Sequence, residues 1–242
     1  MEMSLEGKKQ KGKKPGLILS IETSTPACSI ALHERGSVLA EQSYYLDKSH
    51  SLLLPSIIKE MINWAGYDIN QLDAMAVSSG PGSYTGLRIG LSTVKGLCYA
   101  LNIPLLSIGS LDTIAKGASD LMSKDVLICP MIDARRMEVY TKLINALGEE
   151  LWPTQALVLS PDTFNNFLDH PILLIGDGAE KCKDFIVHPN MTIAGKEIPQ
   201  ARSMGFLAWQ KFQEEEFEDL ASYEPNYLKE FQTKTPGNKL KT

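Results

Sequence analysis

The sequence predicts an α/β fold of two lobes built on one plan, each lobe a mixed sheet with helices. Three observations predict it. Apolar runs of strand length alternate with longer stretches of helical period. The order of those segments restarts at Val126. The spacing from a strand-ending acid to a turn glycine also recurs: Gly36 follows Glu22 by 14 residues, and Gly148 follows Asp133 by 15. That repeat is longer than a solenoid unit, so it fits duplicated lobes.

The elements follow in order. Leu17–Thr23 reads as a buried strand, Cys28–His33 as a second and Ser37–Tyr45 as a third. Ser24-Thr25-Pro26 and Arg35-Gly36 supply the turns. Ser49 is placed to cap a helix reaching Ala65, with Gly66 past its end and Pro55 in its second turn. Asp73–Ser79 is a strand, Gly80–Gly86 a glycine-rich loop and Leu87–Leu101 a helix stopped by Asn102 and Pro104. Pro104–Ile108 is a strand, and Ser110 or Asp112 opens the next helix. The second half repeats this with strands at Val126–Ile132 and Met137–Leu143, then an extended Glu149–Leu159 interrupted by Pro153. Ser160-Pro161-Asp162 has the form of a helix start. Ile172–Ile175 is a strand, Gly176–Gly178 a loop before Ala179–Ile186, and Ser203–Phe212 a last helix. The expected domains are a disordered basic leader over 1–16, lobes over 17–122 and 123–228, and a tail over 229–242.

Composition narrows the function. The chain of 242 residues is 43% hydrophobic and 22% charged, an ordinary globular balance. No apolar run approaches a membrane span, and Glu22 cuts short the stretch behind the basic start. Neither a span nor a signal peptide is expected, and the reading is cytoplasmic. Five lysines sit in residues 1–16, which leaves 19 Lys and Arg against 27 Asp and Glu in the rest, a net −8. Such a body binds polyanions poorly on its own, because that affinity comes from neutralised phosphates. Cys28, Cys98, Cys129 and Cys182 form no C-x-x-C pair. His33, His50, His170 and His188 never fall at i, i+3 or i+4 of one another.

Candidate chemistry is sparse. Gly80, Gly82, Ser83, Thr85 and Gly86 lie between a strand and a helix, where backbone N–H groups can meet a phosphate. The loop is neither a Walker A nor a G-x-G-x-x-G, and a tight packing turn is the alternative. Glu22 and Asp133 each end a first strand and could act as bases or merely bond turn N–H groups. Asp133-Ala134-Arg135-Arg136 reads as a local ion pair. His50 reads as a capping or packing histidine. No triad or G-x-S-x-G elbow occurs.

Two helices say more. On a wheel of ~100° per residue, Leu53, Leu54, Ile57, Ile58, Met61, Ile62, Trp64 and Ala65 fill an arc of roughly 180°. A helix facing only its own core needs about 100°. The following helix carries Gly86, Gly90 and Gly96 with Thr93 and Ala100, although each interior glycine costs about 1 kcal/mol against alanine. Together they suggest a protein–protein surface at Leu54, Ile58, Met61, Ile62, Ala65, Ile89, Gly90, Thr93 and Gly96. Burial between a sheet and a neighbouring helix of the same lobe is the alternative.

At this point the sequence resembles a known family. Ile21-Glu22-Thr23-Ser24-Thr25, Ser49 to Pro55, Ser79-Gly80-Pro81-Gly82-Ser83-Tyr84-Thr85-Gly86-Leu87-Arg88-Ile89-Gly90 and Ile132-Asp133-Ala134-Arg135-Arg136-Met137-Glu138-Val139-Tyr140 are similar to TsaB, also called YeaZ. The likeness covers about 17–145 and continues weakly at Pro225-Asn226-Tyr227-Leu228. It implies a two-lobed actin-like (ASKHA, ribonuclease H-like) fold. It implies a role in making threonylcarbamoyladenosine next to the tRNA anticodon, as non-catalytic partner of TsaD, with the ATPase TsaE joining them. It also implies self-association through the N-terminal lobe when alone. TsaD's H-x-x-x-H metal pair aligns with Ser110 and Ile114, neither of which is a histidine. No cofactor is implied firmly, and weak nucleotide binding stays open. The competing reading is an actin-like kinase or ATPase gripping phosphates at Gly80–Gly86 and Gly176–Ala179. Glu22 stands where many such enzymes use Asp.

Overall fold

The computed structural model describes residues 16–45, 50–119, 122–145, 147–184, 186 and 188–228. Its first sheet is ordered β3-β2-β1-β4-β5, from β1 (Leu17–Glu22), β2 (Cys28–Glu34), β3 (Ser37–Tyr44), β4 (Ala74–Ser78) and β5 (Leu105–Ile108). Strand β1 is central and buried on both faces, with the polar Ser20 and Glu22 on the same face as Ile18. It runs antiparallel to β2 and parallel to β4.

The second sheet repeats the plan with β6 (Leu127–Asp133), β7 (Glu138–Ile144), β8 (Glu150–Val158), β9 (Ile172–Gly176) and β10 (Met191–Gly195), ordered β10-β9-β6-β7-β8. There β6 plays the part of β1, antiparallel to β7 and parallel to β9. The turn glycines Gly36 and Gly148 match too, at φ 84° and 86°. This duplicated order is the actin-like, ribonuclease H-like architecture.

Helices α1 (His50–Trp64) and α2 (Tyr84–Leu101) cover one face of the first sheet. Helix α2 starts three residues earlier than the sequence suggests, because the Ser83 hydroxyl caps it by accepting from Gly86 N–H. Asn102 ends it in the left-handed conformation at φ 53°. The proposed Ser49 cap of α1 lies outside the described residues. Helix α3 (Ser110–Ser119) packs on the second sheet through Leu111, Ile114, Ala115 and Ala118. Helix α4 (Gly205–Gln213) returns to the first sheet, and Ala201, Met204 and Ala208 meet Ile18, Ala74, Ala76 and Leu106. A linear boundary at 122 therefore does not follow the packing: each sheet is covered in part by a helix from beyond that boundary.

Two expected helices are short 3₁₀ segments instead, at Asn165–Phe167 and Asp177–Cys182. The first is held by buried Phe164 and by Phe167, which meet Trp152 at ring centroid distances of 5.7 and 5.1 Å. The segment around Pro153 is strand β8, and its pairing with β7 shifts register between Gln155 and Trp152, so the interruption is a bulge within the strand. It sits at the sheet edge, where a missing N–H costs no ladder bond. Strand β10 gave no sequence signal, being short, half-buried and at the opposite edge. Among the described residues no helix is long and apolar enough to cross a membrane.

Candidate functional site

The glycine loop backs onto β1. Ser83 N–H donates to the Ser24 carbonyl at 2.6 Å, and Gly86 N–H is taken by the Ser83 hydroxyl. A Cβ on Gly82 would strike Ser24, one on Gly86 the Thr23 carbonyl, and one on Gly90 the Thr23 hydroxyl. The glycines thus let α2 lie against the end of β1. That close approach, with the Ser83 and Gly86 N–H groups already bonded within the chain, supports the packing reading of Gly82, Ser83 and Gly86. Thr85 is exposed on α2, and Gly80 reaches a different hollow. That hollow, about 400 Å³ between α4, the start of α3 and β8, has Asp112, Glu214 and Glu216 against Lys211 as its charged lining. Three acids to one base do not fit a nucleotide's phosphates.

The strand-end acids behave differently from each other. Burial raises the pKa of Glu22, and Ser24 N–H donates to one of its carboxyl oxygens at 2.6 Å. At Asp133, partial burial is outweighed by Lys181 at 2.6 Å and Arg135 N–H at 2.5 Å, so its pKa is lowered. Burial pushes Asp177, which accepts from Asp133 N–H at 2.9 Å, upward. These contacts are the local bonding that a structural role requires. The Gly176–Ala179 end of the kinase reading is closed as well: a Cβ on Gly176 or Gly178 would meet the β6 backbone.

None of the four thiols is primed as a nucleophile. Burial pushes Cys28, Cys98 and Cys129 up to about 12 and Cys182 to about 11. Ser110 and Ile114 lie one turn apart on α3, both buried, with Ile114 in the apolar cluster against the second sheet. His33 is also fully buried. Its Nδ1 is 3.2 Å from the Ser20 hydroxyl, and its Nε2 lies 3.3 Å from the Arg202 carbonyl, pinning β2 to the segment that opens α4. Burial lowers its pKa.

The helical surface is smaller than the apolar arc implied. Leu54, Ile58, Met61 and Ile62 are at most 3% exposed and belong to the chain's own core beneath β1, β2 and β4. The arc is wide because α1 packs on both the sheet and α2. Gly90 is likewise buried against Thr23. The wide arc and the first two glycines thus serve the lobe itself. A partner can reach Ala65, Ile89, Thr93 and Gly96, which remain accessible, and a Cβ on Gly96 would meet nothing. Sequence reasoning missed how far Trp64 (76% exposed) and Tyr99 (84%) project. Position on the helical wheel does not distinguish an aromatic residue that inserts from one that projects. A groove along α2 runs past Tyr84, Arg88, Ile89, Ser92 and Thr93.

Against that geometry, a family model for "TsaD: tRNA N6-adenosine threonylcarbamoyltransferase" matches residues 38–237. The tRNA threonylcarbamoyladenosine biosynthesis protein TsaB of Bacillus subtilis is 33% identical over 222 residues, 88% of this chain and 93% of that protein. The Escherichia coli protein of the same name is 28% identical over 220 residues, covering 88% and 94%. Among solved structures, YeaZ from Pseudomonas aeruginosa superposes with a TM-score of 0.76 at 26% identity, covering 88% of this chain and all of that one.

Proposed function

The chain belongs to the TsaB family of tRNA threonylcarbamoyladenosine biosynthesis proteins, and from that premise we propose that it serves this pathway as a non-catalytic subunit. The observation that carries the pathway is a 33% identical TsaB relative matched over 93% of its length. The non-catalytic part is supported by the residues themselves. The positions aligned with the TsaD metal pair are a buried serine and a core isoleucine, and an isoleucine offers no lone pair to a metal. The four thiols are buried and held protonated, and the glycine loop closes on its own strand.

The partners are TsaD, bound through the accessible part of the α1–α2 face, and TsaE within the same complex; tRNA is met through that complex. In the absence of TsaD the same face pairs with a second copy. The working compartment is the cytoplasm. Trp64, Ala65, Ile89, Thr93, Gly96 and Tyr99 are the residues that make the face suitable: a large apolar side chain at each end, small residues between.

Size-exclusion chromatography of the chain mixed with TsaD of the same organism, with nucleotide titration of the chain alone, tests this. Co-elution with no nucleotide-induced heat is the expected result. Separate elution, together with tight nucleotide binding by the chain alone, would return the kinase reading.

A further inference from the structure

At the N-terminal end of α2 one arginine is held in an aromatic clamp. The Arg88 guanidinium carbon lies 4.3 Å from the Tyr84 ring centroid and 5.8 Å from that of Tyr227. The two rings are 4.9 Å apart. Arg88 Nε donates to the Tyr227 hydroxyl at 3.1 Å. Tyr84 and Arg88 are one helical turn apart, so that stack is local. Tyr227 is supplied by a segment 139 residues away, which the fold fixes in place. Glu218 N–H donates to the Leu105 carbonyl at 2.9 Å and Asn226 N–H to the Ser79 carbonyl at 2.8 Å. Leu220 and Tyr223 pack on the first core.

The clamp orients the charge, and the Glu224 carboxylate acts on it only from beyond ion-pair distance. Among the described residues no carboxylate lies within ion-pair distance of Arg88. Lys95, two turns further along α2, differs: it donates to the Ala221 carbonyl at 3.5 Å beside the Asp219 carboxylate. With Nε used, the two terminal nitrogens of Arg88 still offer the planar fork that matches an oxyanion. The groove beside it is lined by Tyr84, Thr85, Ile89, Ser92 and Thr93, none of them charged. A polyanion needs a track of cations. One arginine in an uncharged groove, on a chain of net charge −5, fits one carboxylate of a protein.

We propose that Arg88, held by Tyr84 and Tyr227, is a specificity-determining anchor that pairs with a carboxylate of the protein partner docking on the α1–α2 face. The proposal rests on the docking reading above, and the test separates the two.

Affinity of the full chain for TsaD of the same organism is measured at about 0.1 and 0.5 M salt. The variants are Arg88→Glu, Arg88→Lys, Tyr227→Phe and the apolar control Ile89→Glu, with thermal unfolding recorded for each. Arg88→Glu is expected to fold normally, to weaken binding at least about tenfold and to flatten its salt dependence. Arg88→Lys recovers only part, because an ammonium lacks the fork. Tyr227→Phe keeps the ring and costs less than Arg88→Glu. If Ile89→Glu abolishes binding while Arg88→Glu binds like wild type, the face stands and the anchor is refuted. If neither changes affinity, both fail. If Arg88→Glu leaves assembly intact but weakens tRNA retention by the preformed complex, the anion is a phosphate and the carboxylate assignment is overturned.

Discussion

Gly90 and Gly96 sit on one helix, yet alanine at each should have opposite effects on stability. At Gly96 a Cβ would meet no atom within 4 Å. Gly96→Ala therefore gains only helix propensity, about 0.5–1 kcal/mol. In a chain of this size 1 kcal/mol moves the unfolding midpoint by about 2–4 °C, so a rise of roughly 1–4 °C is expected. At Gly90 the Cβ would strike the Thr23 hydroxyl, with a Val77 methyl at 3.5 Å behind it. The same propensity gain of about 1 kcal/mol is then set against overpacking of about 1–3 kcal/mol. Gly90→Ala should be neutral to about 2 kcal/mol less stable than wild type. The two variants should differ by about 1–3 kcal/mol, or roughly 2–12 °C. Among the described residues the Thr23 hydroxyl has no hydrogen-bond partner. Thr23→Ala should thus make room for the new methyl, and in the Gly90→Ala background it should recover most of the loss. Calorimetry of the four proteins, dilute enough to suppress self-association, provides the assay. Gly90→Ala as stable as Gly96→Ala, or no rescue by Thr23→Ala, would refute the claim that these glycines divide between core and surface.

Other outcomes follow from the same geometry. Ile58→Glu puts a carboxylate at a site 2% exposed and should abolish cooperative unfolding, whereas Ile89→Glu, half-buried at the edge of the first core, should still unfold cooperatively at a modestly lower temperature and lose partner binding; far-ultraviolet circular dichroism on heating separates the two. Burial holds the folded-state pKa of His33 below its ordinary 6.5, so the unfolded chain takes the proton first. Its contribution is full above about pH 6.5 and is lost as pH falls below it, so wild type should lose more stability than His33→Gln between about pH 7.5 and 5.5; parallel pH profiles would refute the assignment. The four buried thiols, held at about 11 to 12, should resist alkylation at pH 8 for as long as the fold persists, while denatured protein labels fully.

The sheets were largely legible because their strands are apolar runs closed by strong turn signals. Leu17–Glu22 and Leu127–Ile132 are buried on both faces, and Gly36 and Gly148 adopt positive φ where the repeat placed them. Strand β10 and the 3₁₀ turns were not legible, because a five-residue, half-buried edge strand and a turn fixed by Trp152 carry no period of their own. The burial of α1 and α2 was legible only in part. A wheel of apolar residues records how much of α1 is covered, but not whether a sheet, α2 or another protein covers it. The glycines of α2 likewise record close approach without naming what approaches, and at Gly86 and Gly90 it is Thr23 of the same chain. The Arg88 clamp lay beyond local reading, since Tyr227 joins it across 139 residues.

The central claim is that this chain supports tRNA threonylcarbamoylation through its partner and performs none of the chemistry itself. Threonylcarbamoyladenosine in tRNA should be measured in a reaction reconstituted from purified TsaD and TsaE and the nucleotide-activated threonylcarbamoyl donor, with and without the chain. Product should form with wild type, fall to background when the chain is omitted, and fall in step with lost co-elution for Ile89→Glu. Full product without the chain, or product from the chain in a preparation free of TsaD, would contradict the account.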